Sequence, residues 1–277
     1  MANFVEALCG ASESARYQAF YGDPDVLQRE IRSQSDERLK KIVTDLREMN
    51  LHAAFETLVG EPFVKIIQAV QAEGYDLVVI GARGLSAWKQ IVLGSTGKRL
   101  VRKCPSSVWV AKGDSKPPPR SILVATDFSE VSQRAFEQAR WLAGVAGSEL
   151  HVLHVLDDVT ANVAFDVPIL PTLQRQLENE AQSRLSRLSS VEALHAPIKT
   201  HLARGTPWLE IVQHAQRLRA DLLVLGTVGR SGIKGLLLGN TADRVLSACD
   251  CNLLTVKPAD FVSPIEPPIL PLHRAPL

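Results

Sequence analysis

Residues 226–241 read Gly-Thr-Val-Gly-Arg-Ser-Gly-Ile-Lys-Gly-Leu-Leu-Leu-Gly-Asn-Thr. They follow the apolar run Leu222-Leu223-Val224-Leu225 and precede the helix-like stretch Ala242-Asp243-Arg244-Val245-Leu246. A buried strand that empties into a glycine-rich loop ending at a helix start can hold a phosphate. Glycines let the backbone approach the anion, and the unpaired N–H groups and dipole of the helix start attract it. Arg230 and Lys234, inside the loop, can neutralise phosphate charge or stand as solvated loop cations. Asp127 follows an apolar run, Ile122-Leu123-Val124-Ala125, and can serve as a binding carboxylate, as the cap of a helix starting near Ser129, or as both.

Other reactive side chains suggest less. Cys249 and Cys251 read as buried thiols rather than as a metal or redox pair. His151 and His154 lie three apart on one strand and face opposite sides, so they cannot chelate together; the remaining histidines look scattered. Asp76 and Asp221 each precede a strand and read as turn residues. The chain has no Gly-x4-Gly-Lys-Ser/Thr phosphate loop and no Gly-x-Ser-x-Gly elbow, so binding without catalysis is expected.

The glycine loop occurs twice. An offset of 145 residues carries Gly81, Gly84, Gly94 and Thr96 onto Gly226, Gly229, Gly239 and Thr241. Without a gap it also carries Gly60, Pro62, Asp76, Leu77, Arg99, Cys104 and Lys112 onto Gly205, Pro207, Asp221, Leu222, Arg244, Cys249 and Lys257. Roughly a third of the positions in 60–112 are identical to their counterparts, which indicates a duplicated domain rather than a solenoid.

Composition sets the outer bounds. A chain of 277 residues suits two domains, each with a sizeable core. With 31 basic and 30 acidic residues interspersed, there is no electrostatic reason to expect nucleic acid or an anionic membrane as partner. No apolar run approaches the roughly 20 residues that cross a bilayer. The start of the chain lacks a basic and then apolar leader pattern, and the four cysteines form no obvious framework, so a reducing cytoplasm is expected.

Periodicity predicts the elements that position these residues. In the first half, 3–8 looks strand-like, a long helix starts at Pro24 and runs to about 50, and 52–58 reads as a strand. A helix starts at Pro62, 77–80 is a buried strand, 96–103 is a helix and 108–111 a last strand. The first half lacks counterparts of 121–146. In the second half, strands at 122–125, 150–155, 198–202, 221–225 and 253–256 alternate with helices. The loop 157–171 carries exposed-looking Val163, Phe165 and Ile169. The domains are thus 1–113, a proline-rich linker 114–120, a complete copy 121–258 and a proline-rich tail 259–277 expected to be disordered. Strand–helix alternation implies an α/β class with doubly wound parallel sheets, whose ligands bind beyond the carboxyl ends of the strands. Asp127 and Gly226 would be neighbours across that crevice.

The sequence Ile122 to Ser129 (ILVATDFS), Gly205-Thr206-Pro207, Asp221-Leu222-Leu223-Val224-Leu225-Gly226 and the Gly-x2-Gly-x9-Gly loop resemble the universal stress protein family, and Gly-Thr-Val-Gly-Arg-Ser-Gly-Ile with Leu-Gly-Asn-Thr-Ala is similar to its tandem, E-type members. The resemblance implies two tandem five-stranded sheets of order 3-2-1-4-5, paired through strand five as an intrachain pseudo-dimer, the first copy lacking its opening strand and helix. It also allows a homodimer. It implies a stress-response function through ATP, accompanied by Mg2+, bound in the second copy. Thr126 and Asp127 would contact the adenosine, Val155 would wall the base, and Gly226, Gly229 and Arg230 would admit and neutralise the phosphates. Gly239, Asn240 and Thr241 would hold them at the helix start. The family's ATP binders carry Ser or Thr where Asn240 stands; an asparagine amide can still cap and donate. The competing reading is a pseudo-dimeric interaction protein that binds a protein partner or an apolar ligand instead of a nucleotide.

Overall fold

The computed structural model describes residues 24–82, 93–112, 118–157, 171–190, 197–229 and 238–268. The strand-like segment 3–8, the loop cations Arg83, Lys89, Arg230 and Lys234, and the apolar loop residues Val163, Phe165 and Ile169 lie outside these residues. Helices are α1 Pro24–Glu48, α2 Pro62–Glu73, α3 Ser95–Lys103, α4 Glu130–Ala146, α5 Pro171–Ser189, α6 Pro207–Arg217 and α7 Asn240–Ala248. Strands are β1 Leu77–Gly81, β2 Ser107–Ala111, β3 Ser121–Ala125, β4 Glu149–Leu156, β5 Lys199–Arg204, β6 Leu222–Gly226 and β7 Asn252–Val256. The duplication is visible in these bounds. From α2 through β2, each element of the first half starts at the residue whose 145-shifted counterpart starts α6, β6, α7 or β7.

Two compact units form, residues 1–78 with 103–106 and 263–277, and residues 79–102 with 107–262. In the first, α2 starts at Pro62, whose ring is pre-set for a first helical turn, and buries Phe63, Ile66, Ile67 and Val70 at helical spacing. The Arg47 guanidinium donates twice to the carbonyl of Ala53, at 3.0 and 2.8 Å. The strand expected at 52–58 is absent; residues 51–59 make no regular element. A strand exists only through a ladder partner. In the second half that partner is β4 for β5, and its 145-shifted counterpart falls outside the described residues. The tail also departs from expectation as far as Pro268: Gln71 Nε2 donates to the Ile265 carbonyl at 2.9 Å.

The pairing expected through strand five is present: 108–111 meets 253–256, and the two halves share one sheet, to which the first half contributes β1 and β2 among the described residues. Among the described residues, seven strands lie in the order β1-β2-β7-β6-β3-β4-β5. Strands β7, β6, β3, β4 and β5 pair in parallel. Strand β2 joins β7 antiparallel, with Val108 opposite Thr255 and Val110 opposite Leu253. The sheet is therefore continuous because the two terminal strands of the repeat cover each other's free edge. Its centre is apolar on both faces: Ile122, Leu123 and Val124 of β3 and Leu222, Leu223 and Val224 of β6 are fully buried.

Local chemistry fixes the elements around it. Ser129 caps α4, its hydroxyl accepting from the Ser132 amide at 3.3 Å. The helix buries Ala135, Phe136, Ala139 and Ala143 and stops at Gly147 with φ 67°. Asp221 proves structural: its Oδ2 accepts from the amides of Arg120 at 2.7 Å and Ser121 at 3.1 Å, pinning the start of β3 beside β6.

Two buried lysines, repeat equivalents, close helix ends reciprocally. Lys112, just after β2, donates Nζ to the carbonyls of Leu246 and Cys249 at 2.8 and 2.7 Å, at the end of α7. Lys257, just after β7, donates Nζ to the Arg102 carbonyl at 2.8 Å, at the end of α3. Both meet the orphan carbonyls and negative end of a helix, and both do so on the other half of the repeat.

The histidines are less scattered than their positions in sequence suggest. His151 of β4 and His201 of β5 share a hydrogen bond, Nδ1 to Nε2, at 3.0 Å, and His201 packs edge-on against His214 of α6 with centroids 6.1 Å apart. Burial holds His151 and His201 below the ordinary imidazole range; for His151 the Lys199 ammonium adds to this and Glu149 opposes it. His201 is also pushed down by His151, His214, Lys199 and Arg217.

Two outcomes follow from this packing. Phe136→Ala removes a fully buried ring from the core and should cost about 3–5 kcal/mol, read as a lower urea midpoint. The fold holds His151 and His201 neutral while the unfolded chain takes up protons near pH 6.5, so stability is full above that pH and is lost as pH falls below it. The melting temperature should therefore drop between pH 7.5 and 5.5, and the His151→Gln, His201→Gln double variant should show a shallower drop.

Candidate functional site

The site lies at the carboxyl ends of β3 and β6. The chain leaves β3 through Thr126, whose amide still donates to Leu153 O at 2.9 Å, so the turn begins in register with β4. Thr126 is buried; its hydroxyl shares a 3.0 Å hydrogen bond with that of Ser132 and accepts the Phe128 amide at 3.0 Å. Asp127 Oδ1 accepts from the amide and hydroxyl of Ser129, at 3.0 and 2.5 Å. One carboxylate oxygen is thus committed to the turn that starts α4, while Oδ2 points the other way, toward the glycine loop.

Gly229 meets it there. A Cβ built on Gly229 would sit 2.5 Å from Asp127 Oδ2. No side chain can occupy that position without displacing the carboxylate, so the glycine permits the loop backbone to lie against Asp127. Gly226 is equally constrained, since a Cβ there would meet Val131 Cγ1 of α4 at 2.9 Å. Between them Thr227 is fully buried; its amide donates to Val256 O at 2.9 Å and its carbonyl accepts the Gly239 amide at 2.7 Å. That last bond ties the two ends of the glycine loop together.

Gly239 is the N-cap of α7, with φ −75° and ψ 155°, and its carbonyl accepts the Asp243 amide at 3.0 Å. The cap residue, a glycine, has no side chain with which to cap this helix start. Asn240 and Thr241 form the first turn, where backbone N–H groups have no intrahelical acceptor. Asn240 is exposed and Thr241 half-buried. The structure thus brings Thr126, Asp127, Gly226, Gly229 and Gly239 onto one strip of backbone and side chain. Val155, half-buried, stands near the end of β4 opposite Ala203, and Arg230 lies outside the described residues.

Three residues of this region escape sequence reasoning. Phe128 takes φ 59°, an unusual left-handed conformation for a bulky residue, and its ring packs 4.3 Å from the His154 ring, centroid to centroid. His154 Nδ1 meets the Thr126 carbonyl at 2.7 Å. The Arg184 guanidinium of α5 lies 5.5 Å over the Phe128 ring. Only the Asp-Phe-Ser turn after an apolar run hinted at Phe128; Arg184 sits in an ordinary amphipathic helix and gave no signal.

The first half repeats the frame of the site. The Ala82 amide donates to Ala111 O at 2.8 Å as Thr227 does to Val256, and the Lys98 amide donates to Gly94 O at 3.0 Å as Asp243 does to Gly239. Leu93 and Leu238, one residue before each cap glycine, are both buried.

Comparison with known proteins shows the family. The model of the universal stress protein family matches residues 5–112 and again 119–257. Universal stress protein E of Escherichia coli K12 is 32% identical over 220 residues, covering 75% of this chain and 68% of that protein. A universal stress protein of Mycolicibacterium smegmatis is 28% identical over 228 residues, covering 80% and 75%. Among solved structures, a universal stress protein from Archaeoglobus fulgidus aligns over 92% of this chain and 98% of its own, with TM-score 0.62 and 22% identity, a likeness of fold. A Pseudomonas aeruginosa UCBPP-PA14 structure does so over 93% and 83%, with TM-score 0.68 and 22% identity. With two matches to one family model laid over a repeat that is visible strand by strand, the chain belongs to the universal stress protein family as a tandem member.

Proposed function

We propose that this protein works in the stress response as a cytoplasmic nucleotide-binding switch, with an adenine nucleotide, ATP and its Mg2+, in the crevice of the second half. The observation that carries the reading is the approach of Gly229 to Asp127: bare backbone faces a carboxylate where any Cβ would intrude. A carboxylate suits the hydroxyls of a ribose, and glycine backbone beside a helix start suits the phosphates. Asp127 takes the adenosine hydroxyls, with Thr126 holding the turn that presents it, and Val155 walls the base. Gly226 and Gly229 let the phosphates approach, Arg230 neutralises them, and Gly239, Asn240 and Thr241 receive them at the start of α7. The α7 cap glycine leaves its first-turn donors to a ligand rather than to a side chain. Binding rather than turnover is the activity. The two halves act as a pseudo-dimer meeting through β2 and β7, the first serving mainly as scaffold.

One observation favours the interaction-protein reading. Trp141 and Val145, four apart on α4, are 61% and 70% exposed, a small apolar face of the kind partners cover.

Calorimetric titration with Mg2+–ATP separates the two readings. The native chain should bind, and Gly229→Val with Gly239→Val should abolish the heat, while Asp127→Asn should weaken affinity by about tenfold, the loss of one charged hydrogen-bond acceptor. No binding by the native chain would favour the second reading. Undiminished binding by the glycine double variant would place the nucleotide elsewhere.

A further inference from the structure

The end of α7 carries a cluster that nucleotide binding does not use. Cys249 is the C-cap residue of α7 and Cys251 immediately precedes β7. Their sulfurs stand 3.1 Å apart, within hydrogen-bond reach and on a path to a covalent bond. Lys112 is buried beside them, its Nζ 2.7 Å from the Cys249 carbonyl. Cys249 is buried, whereas Cys251 is half-buried and gives a small reagent a way in.

The pair belongs to the second half alone. The 145-shifted counterpart of Cys249 is Cys104, but that of Cys251 is Ser106, whose hydroxyl is spent on the Tyr75 carbonyl at 2.5 Å. A buried thiol kept only for packing needs no second sulfur in contact. This arrangement instead follows the chemistry of oxidisable cysteines, an attacking sulfur in an electropositive setting with a resolving sulfur next to it.

We propose that Cys249 and Cys251 are a hydroperoxide-oxidisable dithiol that closes reversibly into an intramolecular disulfide beside Lys112. The Cys249 thiolate attacks the terminal oxygen of hydrogen peroxide and breaks the O–O bond. Cys249 becomes a sulfenic acid, and the departing hydroxide takes a proton and leaves as water. The Cys251 sulfur then attacks the Cys249 sulfur, the S–S bond forms, and the expelled hydroxide leaves as a second water with the Cys251 proton. Two thiols lose two electrons, and one peroxide gains them. The roles follow first from the bond between the two sulfurs. The hydrogen bond from Cys251 lowers the Cys249 thiol to about 7, with Lys112 adding to it while burial and the Asp250 carboxylate oppose it, and the same bond with burial raises Cys251. The disulfide ties the end of α7 to the start of β7. This inference does not depend on the nucleotide reading.

The test is mass spectrometry on the full chain, treated with hydrogen peroxide, alkylated, and digested with trypsin. The peptide that starts at Val245 holds both cysteines and should appear two hydrogens lighter and unalkylated, becoming alkylatable again after dithiothreitol. Cys251→Ser should instead leave a sulfenic acid on Cys249, captured by dimedone. Lys112→Gln should slow oxidation about threefold, because a smaller thiolate fraction is partly offset by a more nucleophilic sulfur. Full alkylation of both cysteines after peroxide, or a link from either to Cys9 or Cys104, would overturn the proposal. The native-chain result decides this even where a variant fails to fold.

Discussion

A strand at the edge of a sheet exposes a row of backbone donors and acceptors that water, another chain or another strand must satisfy. The antiparallel ladder between β2 and β7 meets that requirement inside one chain, with Val108 opposite Thr255 and the Thr255 hydroxyl donating to Val108 O at 3.2 Å. Much of the second unit depends on it. The ladder turns the parallel strands of the second half into part of a longer sheet and buries β7 on every residue. Strand β7 in turn holds β6, and the Val256 carbonyl receives the Thr227 amide at the mouth of the glycine loop. The geometry of the candidate site is thus anchored, through two ladders, in the pairing of the repeat's terminal strands.

Much of this was legible in the residues. Apolar runs of four or five, such as Leu222 to Leu225, placed the central strands β3, β6 and β7 to within a residue, because a doubly covered parallel strand has no polar face to confuse the pattern. Proline and glycine punctuation placed the starts of α2 and α6. The segment 52–58 misled because a local pattern reports which side chains can face a core and says nothing of a ladder partner. The meeting of 108–111 with 253–256 was legible only through the family resemblance, since pairing between distant strands leaves no mark on either one's periodicity.

The site divides in the same way. Glycines 226, 229 and 239 were legible by spacing, and the repeat made them stand out. What was not legible is why Gly229 must be glycine, because that depends on the Asp127 carboxylate, which lies about a hundred positions earlier in the sequence and meets it only in the fold. The same holds for the histidines. His151, His201 and His214 come from β4, β5 and α6, and only parallel register brings the first two side by side. Cys249 and Cys251 were visible as a spacing, but not the Lys112 ammonium that changes their chemistry.

The crossed lysines have a consequence for how such a chain can change over time. Lys112 and Lys257 each finish a helix that the other half of the duplication built. Deleting either half would strand a set of carbonyls and reopen a sheet edge in what remained. The first half is therefore not surplus. Once fused and interlocked in this way, sister domains are free to specialise but not to part company.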